Sequence, residues 1–186
     1  MVFKIRYLQW SGVQIPTDVI LQPNVSFKGD GTITIGHNSV LCEGVVFESI
    51  QGTIDIGCHS EINFGTLIAA NFGSKVSIGH HVRIGHNCSI KCSTHEICLN
   101  GDSIAGRSLY LNICIGNGSW LGAGVIVLPS VTIGRKNVIA AGAVVTKDTE
   151  DAVLMAGVPA QIKKRYAMEG EQLIRRGCET NNGVLS

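Results

Sequence analysis

From Ile115 to Lys147 an aliphatic residue recurs at every sixth position: Ile115, Leu121, Val127, Ile133, Ile139 and Val145, with Gly116, Gly122 and Gly134 directly after three of them. The fifth slot of each complete block is small or slender, held by Ser119, Val125, Val131, Asn137 and Ala143. Such a period fits neither a helix, at about 3.6 residues per turn, nor a strand alternating at two. It fits a chain of short strands that turns every sixth residue, three strands closing one coil and the coils stacking into a three-walled prism. The heading aliphatics are expected to point inward, and the fifth-slot residues to fill the space left over. The glycine after a heading residue is expected to supply a turn conformation that most side chains resist. The class expected is therefore all-β, a hexapeptide-repeat parallel β-helix whose coils pair at about 4.8 Å.

Taken in order, residues 1–12 show no six-residue phase and are read as an N-terminal cap over the open first coil. Residues 13–160 carry the coils. Val13, Val19 and Val25 suit the heading slots of the first, and Gly31-Thr32-Ile33-Thr34-Ile35-Gly36 opens a clearer one that runs through Leu41 and Phe47. The phrase returns as Gly52-Thr53-Ile54-Asp55-Ile56-Gly57 and again at Ser77-Ile78-Gly79, with extra residues near Ser49 to Gln51 and Ala70 to Ser74. Ile78, Ile84 and Ile90 then keep phase, which puts Glu96 in the next heading slot, where the pattern stops until Ile113-Cys114-Ile115-Gly116. Residues 96–111 are accordingly expected as a loop thrown out of the prism, with His95 the last regular position before it. Long insertions in a regular scaffold tend to carry function. Residues 161–186 are expected to form a short C-terminal helix over the last coil, followed by a tail.

Composition supports a thin prism, since 45% of residues are apolar while only 5% are aromatic and 23 are glycine. A net charge of +1 gives no basic excess for nucleic acid. No apolar run approaches the ~20 residues of a membrane span, and charge interrupts Met1 to Gly12, so a cytoplasmic protein without a secretory signal is expected. Seven cysteines, an odd number without framework spacing, read mostly as reduced core fillers. His80, His81 and His86 are the residues to weigh for a metal. In zinc carbonic anhydrases of the gamma type, which are also hexapeptide prisms, the pattern wants a second imidazole five residues after such a histidine; here that position is Lys91, so no metal is expected. His95 lies outside the turn slots, and imidazole, with an ordinary pKa of ~6.5, is suited to taking and returning a proton. The slot before each heading residue should face outward, which stacks Trp120 with Val138 and Ile126 with Val144 in two exposed apolar rows that favour burial against further copies of the chain.

Four runs together bear a resemblance. They are Val76-Ser77-Ile78-Gly79-His80-His81-Val82-Arg83-Ile84-Gly85-His86-Asn87-Cys88-Ser89-Ile90 with Thr94-His95, Ile115-Gly116-Asn117-Gly118-Ser119-Trp120-Leu121-Gly122, Val144-Val145-Thr146-Lys147-Asp148, and Ala156-Gly157-Val158-Pro159-Ala160. In this order and spacing, over about residues 31–165, the chain resembles the hexapeptide-repeat acetyltransferases of the galactoside and maltose O-acetyltransferase type. The resemblance implies a left-handed parallel β-helix, acetyl-CoA as co-substrate, and a homotrimer with donor sites between subunits. It implies that His95 takes the proton of an acceptor hydroxyl while the oxygen attacks the thioester directly. By the same correspondence Trp120 lines the pantetheine and acetyl end of the donor, and Ala123 and Ala141 are small positions where backbone meets the pantetheine amides. Thr146, Lys147 and Lys164 lie near the nucleotide and its phosphates.

Three positions depart from that type. Gln161 stands where arginine is common, with Lys163 and Arg165 close by in sequence. An acidic residue expected shortly before the Ile78 coil is missing, and Asn71, the nearest polar residue, becomes the substrate-binding candidate. The chain also enters its coils almost at once, which is more similar to transferases that modify bacterial surface polysaccharides and their precursors. The reading favoured is an acetyl-CoA-dependent O-acetyltransferase acting on a sugar or polysaccharide-precursor hydroxyl. Two others stay open: N-acetylation of an amino sugar or other amine, and a non-catalytic scaffold that binds through Trp120 and the 96–111 segment.

Overall fold

The computed structural model describes residues 12–100 and 102–167. Its six coils build three parallel walls. Wall A contains β4 (Thr32–Ile35), β7 (Thr53–Ile56), β10 (Lys75–Ile78), β15 (Ile113–Ile115) and β18 (Thr132–Ile133) above β1 (Val13–Gln14). Wall B runs from β2 (Ile20–Leu21) through β11 (Arg83–Ile84), β16 (Trp120–Leu121) and β19 (Val138–Ile139) to β21 (Val153–Ala156). Wall C runs from β3 (Ser26–Lys28) through β6 (Val46–Ile50), β9 (Leu67–Asn71), β12 (Ser89–Lys91) and β17 (Ile126–Val127) to β20 (Val144–Val145). The expected prism is present, and the heading residues form its axis: Ile35, Leu41, Phe47, Ile62, Ile84, Ile115, Leu121 and Val145 are all buried. Among the described residues there is no helix, hence none long and apolar enough to cross a membrane.

Three expectations need correction. In the first coil Val13 pairs with Ile33, Leu21 with Leu41 and Phe27 with Phe47. The heading residues are therefore Ile15, Leu21 and Phe27, and the proposed Val13, Val19 and Val25 sit two positions out of phase. Valine fills the fifth slot as well as a heading slot, so period alone left the phase ambiguous.

The second correction concerns glycine. Left-handed backbone falls three residues after a heading position, at Asn38, His59, His81, Asn87, Lys136, Gly118 and Gly124. The glycine directly after a heading residue serves close approach instead: a methyl built on Gly122 would lie 2.6 Å from the backbone nitrogen of Ala141 in the next coil.

The third concerns the two irregular segments. The expected 96–111 loop is a hairpin, β13 (Ser93–Ile97) antiparallel to β14 (Ala105–Tyr110). The helix expected from residue 161 is instead a strand, β22 (Gln161–Arg165), lying antiparallel against β21. The remainder of that helix, and residues 1–11 of the cap proposed for residues 1–12, lie outside the described residues.

Polar fifth-slot side chains tie one coil to the next. Ser60 Oγ donates to Gly79 O at 3.0 Å and accepts from Val82 N–H at 3.1 Å. Thr66 and Ser119 repeat the arrangement higher up. Asn137, fully buried, donates to Thr149 Oγ1 and Glu150 O and accepts from Val153 N–H, fastening the last turn of the prism. Cys42, Cys88 and Cys92 are free, buried thiols, and burial raises the pKa of each.

Gly122→Ala is expected to destabilise the fold by about 3 kcal/mol or more, because backbone has to move. Gly142→Ala, whose added methyl meets nothing within 4 Å but sits at φ +69°, should cost only the left-handed backbone penalty of about 1–2 kcal/mol. Denaturant unfolding of both variants at one protein concentration measures the difference.

Candidate functional site

Strand β13 carries His95 out of the prism. Its partner in the hairpin is Ser108, and its imidazole is exposed with Nδ1 3.3 Å from the carbonyl oxygen of Gly106. A carbonyl can only accept, so this contact needs a proton on Nδ1, and in the neutral ring the lone pair is then on Nε2. Across the hairpin Arg107 Nε donates to Glu96 Oε2 at 2.9 Å, an exposed pair that adds little stability. The root of the hairpin is held more firmly. Cys92 N–H donates to Ala69 O, Leu111 N–H donates to Cys92 O, and the rings of Phe72 and Tyr110 meet at 4.8 Å.

Asn71, the substrate-binding candidate, ends β9 beside that root. It is only 9% exposed and its side chain is committed within the protein. Oδ1 accepts from Ile50 N–H at 3.0 Å, and Nδ2 donates to Glu48 Oε1 at 2.9 Å. Glu48 escaped sequence reasoning because the two residues are 23 positions apart. The signal available was an acidic residue directly after a heading Phe47, in the register column that holds Ala69 and Lys91 in the coils above.

The donor-side candidates stand elsewhere. Trp120, 56% exposed, faces outward on wall B between Arg83 and Val138. Ala123 and Ala141 are exposed and stack at the corner between walls B and C, where Gly142 N–H donates to Ala123 O at 2.8 Å. Thr146 and Lys147 are exposed at the corner between walls C and A, following β20. Lys164 is exposed on β22, its ammonium 5.0 Å from the ring centre of Tyr166. Arg165, one of the cations near Gln161, is held by Glu150 at 2.7 Å. One chain thus brings Trp120, Ala123 and Ala141 to a single edge, and roots the His95 hairpin at another corner.

Of the histidines weighed for a metal, His80 uses Nδ1 to accept from Cys58 N–H, while His59 and His81 stack ring on ring at 4.9 Å. Among the described residues no three His, Cys, Asp or Glu side chains form a group that could hold a metal ion.

The family described as bacterial transferase hexapeptide (six repeats) matches residues 115–147, the coils that contain Trp120, Ala123, Ala141, Thr146 and Lys147. A galactoside O-acetyltransferase of Lactococcus lactis is 39% identical over 112 residues, which cover 56% of this chain and 53% of that protein. The galactoside O-acetyltransferase of Escherichia coli is 35% identical over 133 residues, covering 69% and 62%. The chain thus spans between about half and three-fifths of the length of these curated relatives. A crystal structure of a hexapeptide-repeat-containing acetyltransferase from Vibrio cholerae, complexed with acetyl coenzyme A, is 30% identical, with 70% of this chain and 69% of that chain covered and a TM-score of 0.60. The chain belongs to the hexapeptide-repeat acetyltransferase family. In this family member the matched segment begins after the hairpin with His95 and ends before the strand with Lys164, so both lie outside it.

Tyr110→Ala is expected to loosen the hairpin while leaving the coils intact. Removing the ring contact to Phe72 should speed amide exchange across residues 93–110 by roughly 2- to 10-fold, the scale of ~0.5–1.5 kcal/mol for an aromatic pair. Hydrogen exchange read by mass spectrometry checks it, with the β15–β20 amides as the unchanged reference.

Proposed function

We propose that this chain is an acetyl-CoA-dependent O-acetyltransferase of the cytoplasm that acylates a saccharide hydroxyl, working as a homotrimer with His95 as general base. The observation that supports the reading is the His95 Nδ1 contact with Gly106 O on an exposed hairpin, which in the neutral ring leaves Nε2 as the acceptor. In the step proposed, Nε2 removes the hydroxyl proton as the acceptor oxygen bonds to the thioester carbonyl carbon. The carbon–sulfur bond then breaks, and the imidazolium returns the proton to the departing thiolate, giving ester and free CoA. Likeness to proteins named galactoside O-acetyltransferase supports the acceptor class, and likeness to the Vibrio cholerae acetyltransferase complexed with acetyl coenzyme A supports the donor.

The donor would lie along the edge of Trp120, Ala123 and Ala141, with Thr146, Lys147 and Lys164 offsetting phosphate charge. Assembly is supported by the outward rows, in which Trp120 stacks on Val138 and Ile126 on Val144, with Trp120 and Ile126 exposed. A neighbouring copy would then bring the hairpin of one chain to the donor edge of the next. Asn71 enters this reading as a residue beside the acceptor.

His95→Ala is expected to lower turnover by ~10²–10⁴ while the oligomer stays folded, the usual scale for loss of a general base. Turnover close to that of the unmodified protein would remove His95 from the mechanism. Acetyl-CoA should raise the thermal midpoint in both proteins, and the product should be an alkali-labile ester.

A further inference from the structure

We infer that Glu48 is the residue that recognises the acceptor, with Asn71 acting on it as a positioning residue; this rests on the O-acetyltransferase reading above. The amide of Asn71 is nine-tenths buried, and both its oxygen and its nitrogen are hydrogen-bonded within the protein. Its Nδ2–H is spent on Glu48 Oε1, which pins a half-buried carboxylate to the outer face of wall C. Oε2 of Glu48 has no hydrogen-bond or ion-pair partner among the described residues, although Lys28 lies beside it in register on β3. A carboxylate with one oxygen fixed and the other unclaimed is an acceptor waiting for a donor, and hydrogen bonds to an ionised group are among the stronger ones.

Its location gives that donor a direction. Asn71 closes β9, the strand that β13 packs beside, and the next residue, Phe72, holds Tyr110 at the hairpin root. Glu48 therefore stands at the foot of the arm that carries His95. The ligand chemistry that fits is a polyhydroxylated, uncharged or cationic acceptor, which offers O–H or N–H donors. A phosphorylated or carboxylated group offers Oε2 no donor and would be directed instead to Lys28 and Lys91 in the same column.

Glu48→Gln keeps an oxygen for the Asn71 amide and replaces the charge. Steady-state kinetics over a panel of neutral, amino and phosphorylated sugars, with acetyl-CoA as donor, tests the assignment. The acceptor KM is expected to rise by about tenfold or more for neutral and amino sugars, the scale of a hydrogen bond to a charged group. The acetyl-CoA KM and the thermal midpoint should stay unchanged. Asn71→Ser, which leaves the carboxylate in place but unpinned, should raise the same acceptor KM by a smaller factor. An unchanged acceptor KM in Glu48→Gln, or a change confined to the acetyl-CoA KM, overturns the inference and leaves the O-acetyltransferase reading standing. No transfer by the unmodified protein to any sugar of the panel would overturn both.

Discussion

Backbone must approach backbone very closely where one coil turns above another, and the rest of the molecule follows from that contact. At the corner between walls A and B the residue after the heading aliphatic is Gly36, Gly57, Gly79, Gly116 and Gly134 in successive coils, each a place where a methyl would strike the coil above. Between walls B and C the same slot holds Gly85 and Gly122 in two coils, and Gln22, Cys42, Asn63 and Ala140 in others. With these corners drawn in, strands from successive coils keep parallel register, and the fifth-slot serines, threonine and asparagine reach the next coil with good hydrogen bonds. The dry column of isoleucine, leucine and valine along the axis then supplies most of the favourable energy.

The third corner is built differently. After the heading residues of wall C come Glu48, Ala69, Lys91, Leu128 and Thr146, with no glycine among them. Among the described residues the insertions between coils fall there, while the antiparallel return from β21 to β22 lies on wall B. β6 and β9 run long into it, left-handed Gln51 and Phe72 turn it, and the β13–β14 hairpin leaves from it. The corner that is least tightly drawn in is the one that carries the hairpin with His95, the Asn71–Glu48 pair and the Thr146–Lys147 step.

Legibility in the sequence tracks this division. Where glycine and the six-residue period act together, as in the coils of Ile78 and Ile115, the inward residues and outward stacks were readable by counting, and Trp120 over Val138 is one such pair. Where valine suits two slots, in the first coil, counting slipped by two. The hairpin was legible as a break but not as strands, because its residues are mostly exposed on both faces and show no alternation. β22 was mistaken for a helix for a similar reason: among Gln161 to Arg165 only Ile162 is partly buried, so a charged run gave little pattern. Ala123 and Ala141 were named from the family resemblance, and the structure stacks them on one regular edge. The Glu48–Asn71 bond joins two irregular turns and has no periodic signature.

The open corner has an architectural meaning. Segments of very different length are spliced in at that one edge, from a few residues at Gln51 to a whole hairpin at His95, while the strands on either side still find their partners above and below. Such a scaffold holds its register while a single seam takes up the extra residues. The edge with Trp120, Ala123 and Ala141 keeps strand-on-strand register through the same coils.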